Sequence, residues 1–224
     1  MNTQAVETPR HPIALRKEFI AEFERTILLK PIADRPEGQR SSKDYTILDA
    51  SDNTTLFTAS GRKFKKPSCR EIRDSSGLPL FDIHYHTRMF KESWAIKLPG
   101  GDGVTLASTT AKRAPNKEKV EFPLSFQNAV DDGHVAMNVH APGAYLYKFY
   151  VTVGDRQVIS ITHNMFDGAS CTRGLPSERG KYMAHRAEWE AEVAADVDLS
   201  LAAAIMVICS DFVYGSGRLS LYTT

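Results

Sequence analysis

The chain has 224 residues, 42% of them hydrophobic and 25% charged, and its 28 Lys and Arg face 27 Asp and Glu for a formal net charge of +1. That suits one large domain with a substantial core, and it excludes strong global attraction to nucleic acid or membrane, so an electrostatic partner needs a local patch. Three cysteines, Cys69, Cys171 and Cys209, form no disulfide framework and no CxxC pair, which points to a reducing compartment.

Residues 1–12 are polar, hold Pro9 and Pro12 and lack an apolar signal core. They read as a flexible leader on a cytoplasmic or nuclear protein, not a secreted one. Leu15, Phe19 and Phe23 at i, i+4 and i+8 fit a short amphipathic helix, and an extended segment along a barrel wall fits as well. A strand follows over 25–32, ended by Pro31, and 33–43 is a solvated loop.

From Asp44 the chain repeats itself. YTILDASDNTTLF (45–57) is echoed by REIRDSSGLPLF (70–81): an apolar strand, an Asp, a small polar turn, then Leu-Phe opening a return strand. A third unit runs WAIKL, PGGDG, VTLA over 94–107. Asp, Asn and Gly at the bends are what hairpins require, and hairpins at regular spacing mark an antiparallel sheet, sandwich or barrel. Residues 111–118 form a charged midpoint connection. Strands are then predicted over 122–127, 134–140, 145–153 and 157–163, with a Gly- and Ser-rich loop over 164–181. In 186–195 Trp189, Ala191, Val193 and Ala195 alternate with Glu188, Glu190 and Glu192, a strand with one wet face.

The run LSLAAAIMVICS (199–210) has no polar face, so it predicts a helix buried on every side. Twelve residues reach about 18 Å, too short for a bilayer core of about 30 Å, so no transmembrane segment is expected. Asp196 or Asp198 caps its start and Gly215 suits its stop, giving a helix over about 198–213 and a tail over 215–224. The simplest solution is a mainly β architecture, a closed antiparallel barrel wrapped around that helix.

The chain resembles the LURP-one-related family of the tubby C-terminal-like superfamily, which also includes phospholipid scramblases. The resemblance is carried by the hairpins at Asp49/Leu56-Phe57 and Asp74/Leu80-Phe81-Asp82-Ile83 and by the Trp94 unit. The Trp189 strand ending in Asp196-Val197-Asp198 and the helix closed by Ser210-Asp211 complete it. It covers a single domain over about 13–214 and implies a tubby-like barrel of about twelve strands around a hydrophobic C-terminal helix. Tubby proteins bind phosphatidylinositol 4,5-bisphosphate; their binding motif has no residue-by-residue match here, and no segment looks like the scramblase calcium motif.

The strongest local charge feature is Arg62, Lys63, Lys65, Lys66, Arg70 and Arg73, opposed only by Glu71. Each basic residue near an anionic leaflet is worth about 1 kcal/mol, enough together for reversible association with an anionic membrane surface or a phosphoinositide headgroup. The bland alternative is a solvated edge whose lysines discourage strand-to-strand aggregation. Lys112, Arg113, Lys117 and Lys119 read as a solvated loop.

Seven histidines raise the question of a metal. His84 and His86 share one face of a strand, but no spacing shows three or four converging ligands. GxSxG is absent, and PGGDG lacks the Lys-Ser/Thr and the helix of a phosphate loop. No cofactor is implied. The reading is a non-enzymatic binding or scaffold domain for anionic lipid, with a protein-interaction module as the alternative.

Overall fold

The computed structural model describes residues 5–32, 44–60, 69–88, 91–100, 103–113, 120–142, 146–164 and 188–215. Within them run β1 (Arg25–Pro31), β2 (Tyr45–Asp49), β3 (Thr55–Ala59), β4 (Cys69–Asp74), β5 (Pro79–Arg88), β6 (Lys91–Lys97) and β7 (Thr105–Thr110). They continue with β8 (Lys112–Arg113), β9 (Val120–Gln127), β10 (His134–Ala141), β11 (Lys148–Val153), β12 (Arg156–Asn164), β13 (Glu188–Val193) and the helix α1 (Leu199–Gly215). Neighbours in sequence pair antiparallel, β13 returns to β1, and β9 pairs with both β7 and β10. The sheet is therefore closed. The two-residue β8 carries on the register of β7 against β9 beyond Ala111, which makes twelve staves.

Inward residues come from every stave: Ile27 and Leu29, Tyr45 and Ile47, Phe57, Ile72, Phe81 and Ile83, Trp94 and Ile96, Ala107, Phe122 and Leu124, Met137 and Val139, Phe149 and Val151, Ile159 and Ile161, Trp189 and Ala191. All are buried, and α1 fills the space between them. Residues 199–213 of the helix are buried except Asp211, as the apolar run demands. Each Leu, Ile or Met so covered contributes about 1.5–3 kcal/mol relative to exposure. The helix runs to Gly215, two residues past its expected end.

The duplicated hairpins prove to share a device. Ile47 pairs with Phe57 but Leu48 with Thr55, leaving Leu56 as an extra residue. The same one-residue slip leaves Leu80 extra in β5, Leu106 in β7 and Val158 in β12. A bulge of this kind sets two residues of one strand against one of its partner and bends the strand. Here each extra residue is apolar and packs on the core, which explains the Leu-Phe pairs at 56–57 and 80–81. The fourth copy, Val158-Ile159, lies in the second half of the chain, where the residue pattern alone showed no repeat.

Chain direction sorts the connections into two ends. The β2–β3, β4–β5, β6–β7, β9–β10, β11–β12 and β13–α1 connections are short and share one end, the turn end. Each holds one left-handed residue: Asn53, Gly77, Gly100, Asp132, Gly154 and Asp196 in that order. Asp49 and Asp74 each accept the N–H and hydroxyl of the Ser two residues on, so the repeated Asp is a turn-maker. The other six connections and the helix C-terminus lie at the opposite, loop end.

The N-terminal segment closes the turn end. Residues 13–23 make two isolated bridges, Ile13 with Val197 and Ile20 with Asp198, around a short 3-10 turn at Lys17–Phe19. The amphipathic helix therefore does not form, and the segment's bridges meet the β13–α1 connection and not a strand of the wall. Residues 5–12, read from composition as a loose leader, are bonded to the barrel: Glu7 N–H to Gln157 O, Arg156 to Thr8 O and Asn128 Nδ2 to Pro12 O. Asp198 ties these parts together. Its Oδ1 accepts the N–H and hydroxyl of Ser200 and the N–H of Leu201, capping α1, while Oδ2 accepts the N–H groups of Leu15 and Arg16. Asp196 instead makes the left-handed turn before it.

Asp198→Asn keeps one oxygen but turns an amide N–H toward buried N–H groups whichever way it is placed. The variant should lose about 2–4 kcal/mol in urea unfolding, more than the roughly 1 kcal/mol of an ordinary cap. A loss below about 1 kcal/mol would show that the N-terminal segment is not held through this carboxylate.

Candidate functional site

Of the six basic residues singled out in the sequence, Arg62, Lys63, Lys65 and Lys66 lie outside the described residues. Arg70 and Arg73 are on β4, one residue out of phase, and so face opposite sides of the wall. Arg70 points inward and is buried, its guanidinium making two parallel bonds to the Asp211 carboxylate and lying over the Tyr45 ring at 5.4 Å. Beside it Tyr45 Oη and Ser210 Oγ are 2.7 Å apart. Arg70 therefore fastens the last turns of α1 to the wall and offers no charge to a surface ligand. Arg73 faces outward and is partly exposed, with its guanidinium 2.5 Å from the Glu71 carboxylate and 2.7 Å from Gly77 O.

The interior at the loop end is otherwise polar in patches. Tyr85 donates to Glu92 at 3.2 Å, and burial, then the Glu92 charge, pushes its phenol up. His163 stands edge-on to Trp189, ring centroids 4.6 Å apart, and burial lowers its imidazole to about 4. Cys209, wholly inside the barrel, has its thiol pushed up by burial and stays protonated. Cys209 is a free thiol, and Cys171 lies outside the described residues.

Cross-strand register brings one pair together that spacing concealed. Cys69 and His84 are partners across β4 and β5, with Sγ 3.6 Å from Nε2, and the His84 ring is parallel to His86 at 6.3 Å. Cys69 is buried, as a structural thiol would be. Among the described residues no group of three or more His, Cys, Asp or Glu is placed to hold a metal ion. Lys112 is exposed on the short β8; Lys117 and Lys119 lie outside the described residues.

What topology adds is a grouping of the connections by end. In sequence, the segments 33–43, 61–68, 89–90, 114–119, 143–145 and 165–187 fall between strands that are joined at the loop end, and 216–224 follows α1; all of them lie outside the described residues. Together they carry fourteen Lys and Arg against five Asp and Glu. The rest of the chain then holds fourteen basic and twenty-two acidic residues. Asp49, Asp74, Asp131, Asp132, Asp155 and Asp196 all sit in the tight connections of the turn end. A net charge of +1 thus conceals an uneven distribution of charge along the sequence. Composition could not show this grouping, because only the alternating strand direction assigns connections to ends.

A family model described as LURP-one-related matches residues 38–211. Among solved structures, an X-ray structure of a protein from Arabidopsis thaliana is similar at 15% identity and a TM-score of 0.54, over 90% of this chain and 98% of that one. That likeness concerns the fold. No curated protein matches the chain.

His163 gives the loop-end interior a pH signature. In the unfolded chain its imidazole takes a proton near 6.5, in the fold only near 4. Its contribution to stability is therefore full above about pH 6.5 and is lost as pH falls toward 4. Between pH 7 and 4.5 the wild type should lose about 1–2 kcal/mol more than His163→Asn, a figure already reduced for partial exposure. Equal pH slopes in urea unfolding would show that the imidazole is solvated in the fold.

Proposed function

We propose that this chain, which belongs to the LURP-one-related family, is a non-enzymatic binding domain that meets an anionic phospholipid surface, phosphoinositide included, with the loop end of its barrel. The reading is supported by the sequence: the stretches between strands joined at the loop end, with the stretch after α1, hold fourteen basic residues against five acidic ones. A basic residue close to an anionic leaflet contributes about 1 kcal/mol, and the contribution fades within a Debye length, about 8 Å at physiological salt. Charges grouped on one end can reach a flat surface at the same time. The same number scattered around the barrel could not. The turn end would then face away.

Further features favour the reading. Among the described residues no helix is long and apolar enough to cross a membrane, so attachment would be peripheral and electrostatic. Lys63, Lys65 and Lys66, with Arg62, remain the densest part of the basic set, and outward-facing Arg73 adjoins them in sequence. Arg70 drops out because its charge is spent inside the barrel on Asp211. The free thiol of Cys209 fits a cytoplasmic setting.

Vesicle co-sedimentation tests the proposal. Binding should be seen with vesicles containing phosphatidylserine or phosphoinositide but not with phosphatidylcholine alone, and should weaken steeply with salt. Lys63→Glu/Lys65→Glu/Lys66→Glu should abolish it. Arg173→Glu/Arg179→Glu/Lys181→Glu, in a different connection at the same end, should weaken it at least several-fold, since each lost contact is worth about 1 kcal/mol. Arg70→Ala should instead report as lost stability, about 3–5 kcal/mol, because Asp211 loses both guanidinium bonds. Absence of binding to any vesicle would leave a module whose partner is a protein.

A further inference from the structure

The turn end carries a cleft of about 460 Å³ between the N-terminal segment and the β9–β10 and β11–β12 turns. This is within the usual range for small-molecule sites, about 300–1,000 Å³. One wall is a strap made of residues 8–13, pinned at both ends. Arg156 donates to Thr8 O at 2.6 Å on one side. On the other the buried Asn128 holds Pro12 O at 2.9 Å and accepts the Ala14 N–H at 3.0 Å. Pro9 and Pro12 restrict the stretch between, so the cleft is formed in advance of any ligand.

Its electrostatics are balanced. Arg10 and Arg156 line it together with Asp131 and Asp155. Arg156 is engaged with the strap, and one Asp131 oxygen accepts the Gly133 N–H. Arg10 and Asp155 are different. Their side chains are 72% and 80% exposed, and their charged atoms stand 3.9 Å apart. That is too long for a good hydrogen bond, and an exposed pair of this kind holds little energy. Separating the two is easy, but a ligand bearing only an anion would take Arg10 and leave Asp155 facing a like charge. A ligand bearing only a cation would do the reverse. A carboxylate and an ammonium on neighbouring atoms satisfy both sides at once. Beside the pair the lining is apolar, with Ile13, Val135 and Val153.

We propose that this cleft binds a small zwitterion, an α-amino acid with an apolar side chain, whose carboxylate goes to Arg10, ammonium to Asp155 and side chain to Ile13, Val135 and Val153. The site lies at the turn end and stands independently of the lipid reading.

Titration of the full chain with L-leucine, followed by calorimetry and by amide NMR shifts, is the test. Saturable binding should move the resonances of residues 9–13 and 153–156. N-acetyl-leucine, which lacks the ammonium, and leucinamide, which lacks the carboxylate, should each bind at least about tenfold more weakly. Arg10→Ala and Asp155→Ala should each weaken leucine about tenfold while leaving the unfolding midpoint unchanged, because both side chains are exposed. No saturable binding of leucine would overturn the proposal. So would inorganic phosphate or N-acetyl-leucine binding as tightly as leucine, or leucine affinity unmoved in both variants. Vesicle binding should be the same in Arg10→Ala as in the wild type.

Discussion

A sheet that closes on itself removes its edges but encloses a bore, and a bore of twelve staves is too wide for strand side chains to fill from one wall. Everything else in this molecule follows from that constraint. The filler must be apolar around its whole girth, because every direction from its axis meets a wall. It must enter at one end with its first N–H groups satisfied, since no water reaches them there. Leu199 to Val213 supply the girth, and Asp198 supplies the entry. At the far end Arg70 and Asp211, with Tyr45 and Ser210, set the depth and rotation of the helix. The barrel contributes shape, and these two polar anchors contribute register.

Much of this was legible before any coordinates, because hydrophobic patterning is a local property. An all-apolar dodecapeptide admits few environments, and the strand over Glu188–Val193 announces its wet and dry faces by alternation. The repeated Asp and Leu-Phe marks fixed two hairpins, and the structure supplies their cause in an Asp-to-Ser turn and a bulge that sends two neighbouring residues to the core. The fourth bulge at Val158 went unread because its turn, Gly154-Asp155, lacks the Asp-x-Ser device, leaving only an apolar pair among other apolar residues. The N-terminal segment was misleading for the opposite reason. Its bonds run from main chain to main chain, Asn128 and Arg156, more than a hundred residues away, and no local pattern records them.

The basic residues show where local reading stops. Arg70 and Arg73 are three apart in a run of like charges, yet a pleated strand turns one to the core and the other to solvent. One is a structural rivet and the other a surface group. Conversely, antiparallel alternation returns every second connection to the same end, so distance in sequence does not measure which connections are neighbours. The lipid contact proposed for the loop end and the cleft at the turn end would therefore not compete for area.

The position of α1 in the chain has a consequence for biosynthesis. The element at the centre of the core follows every strand that surrounds it, and β1 finds its second neighbour only when β13 has been made. A nascent chain extended at about 5–20 residues per second must carry Phe57, Phe81, Trp94 and Phe122 for many seconds before anything can cover them. Local hairpins can form early, but the ring cannot be completed piecemeal. Folding is therefore a late and nearly all-or-none event, completed after translation of the domain, and the unfinished barrel is a natural client for chaperones. Premature termination before Glu188 would leave the sheet open, and termination between Val193 and Leu199 a ring of strands with no interior; neither is a smaller version of the protein.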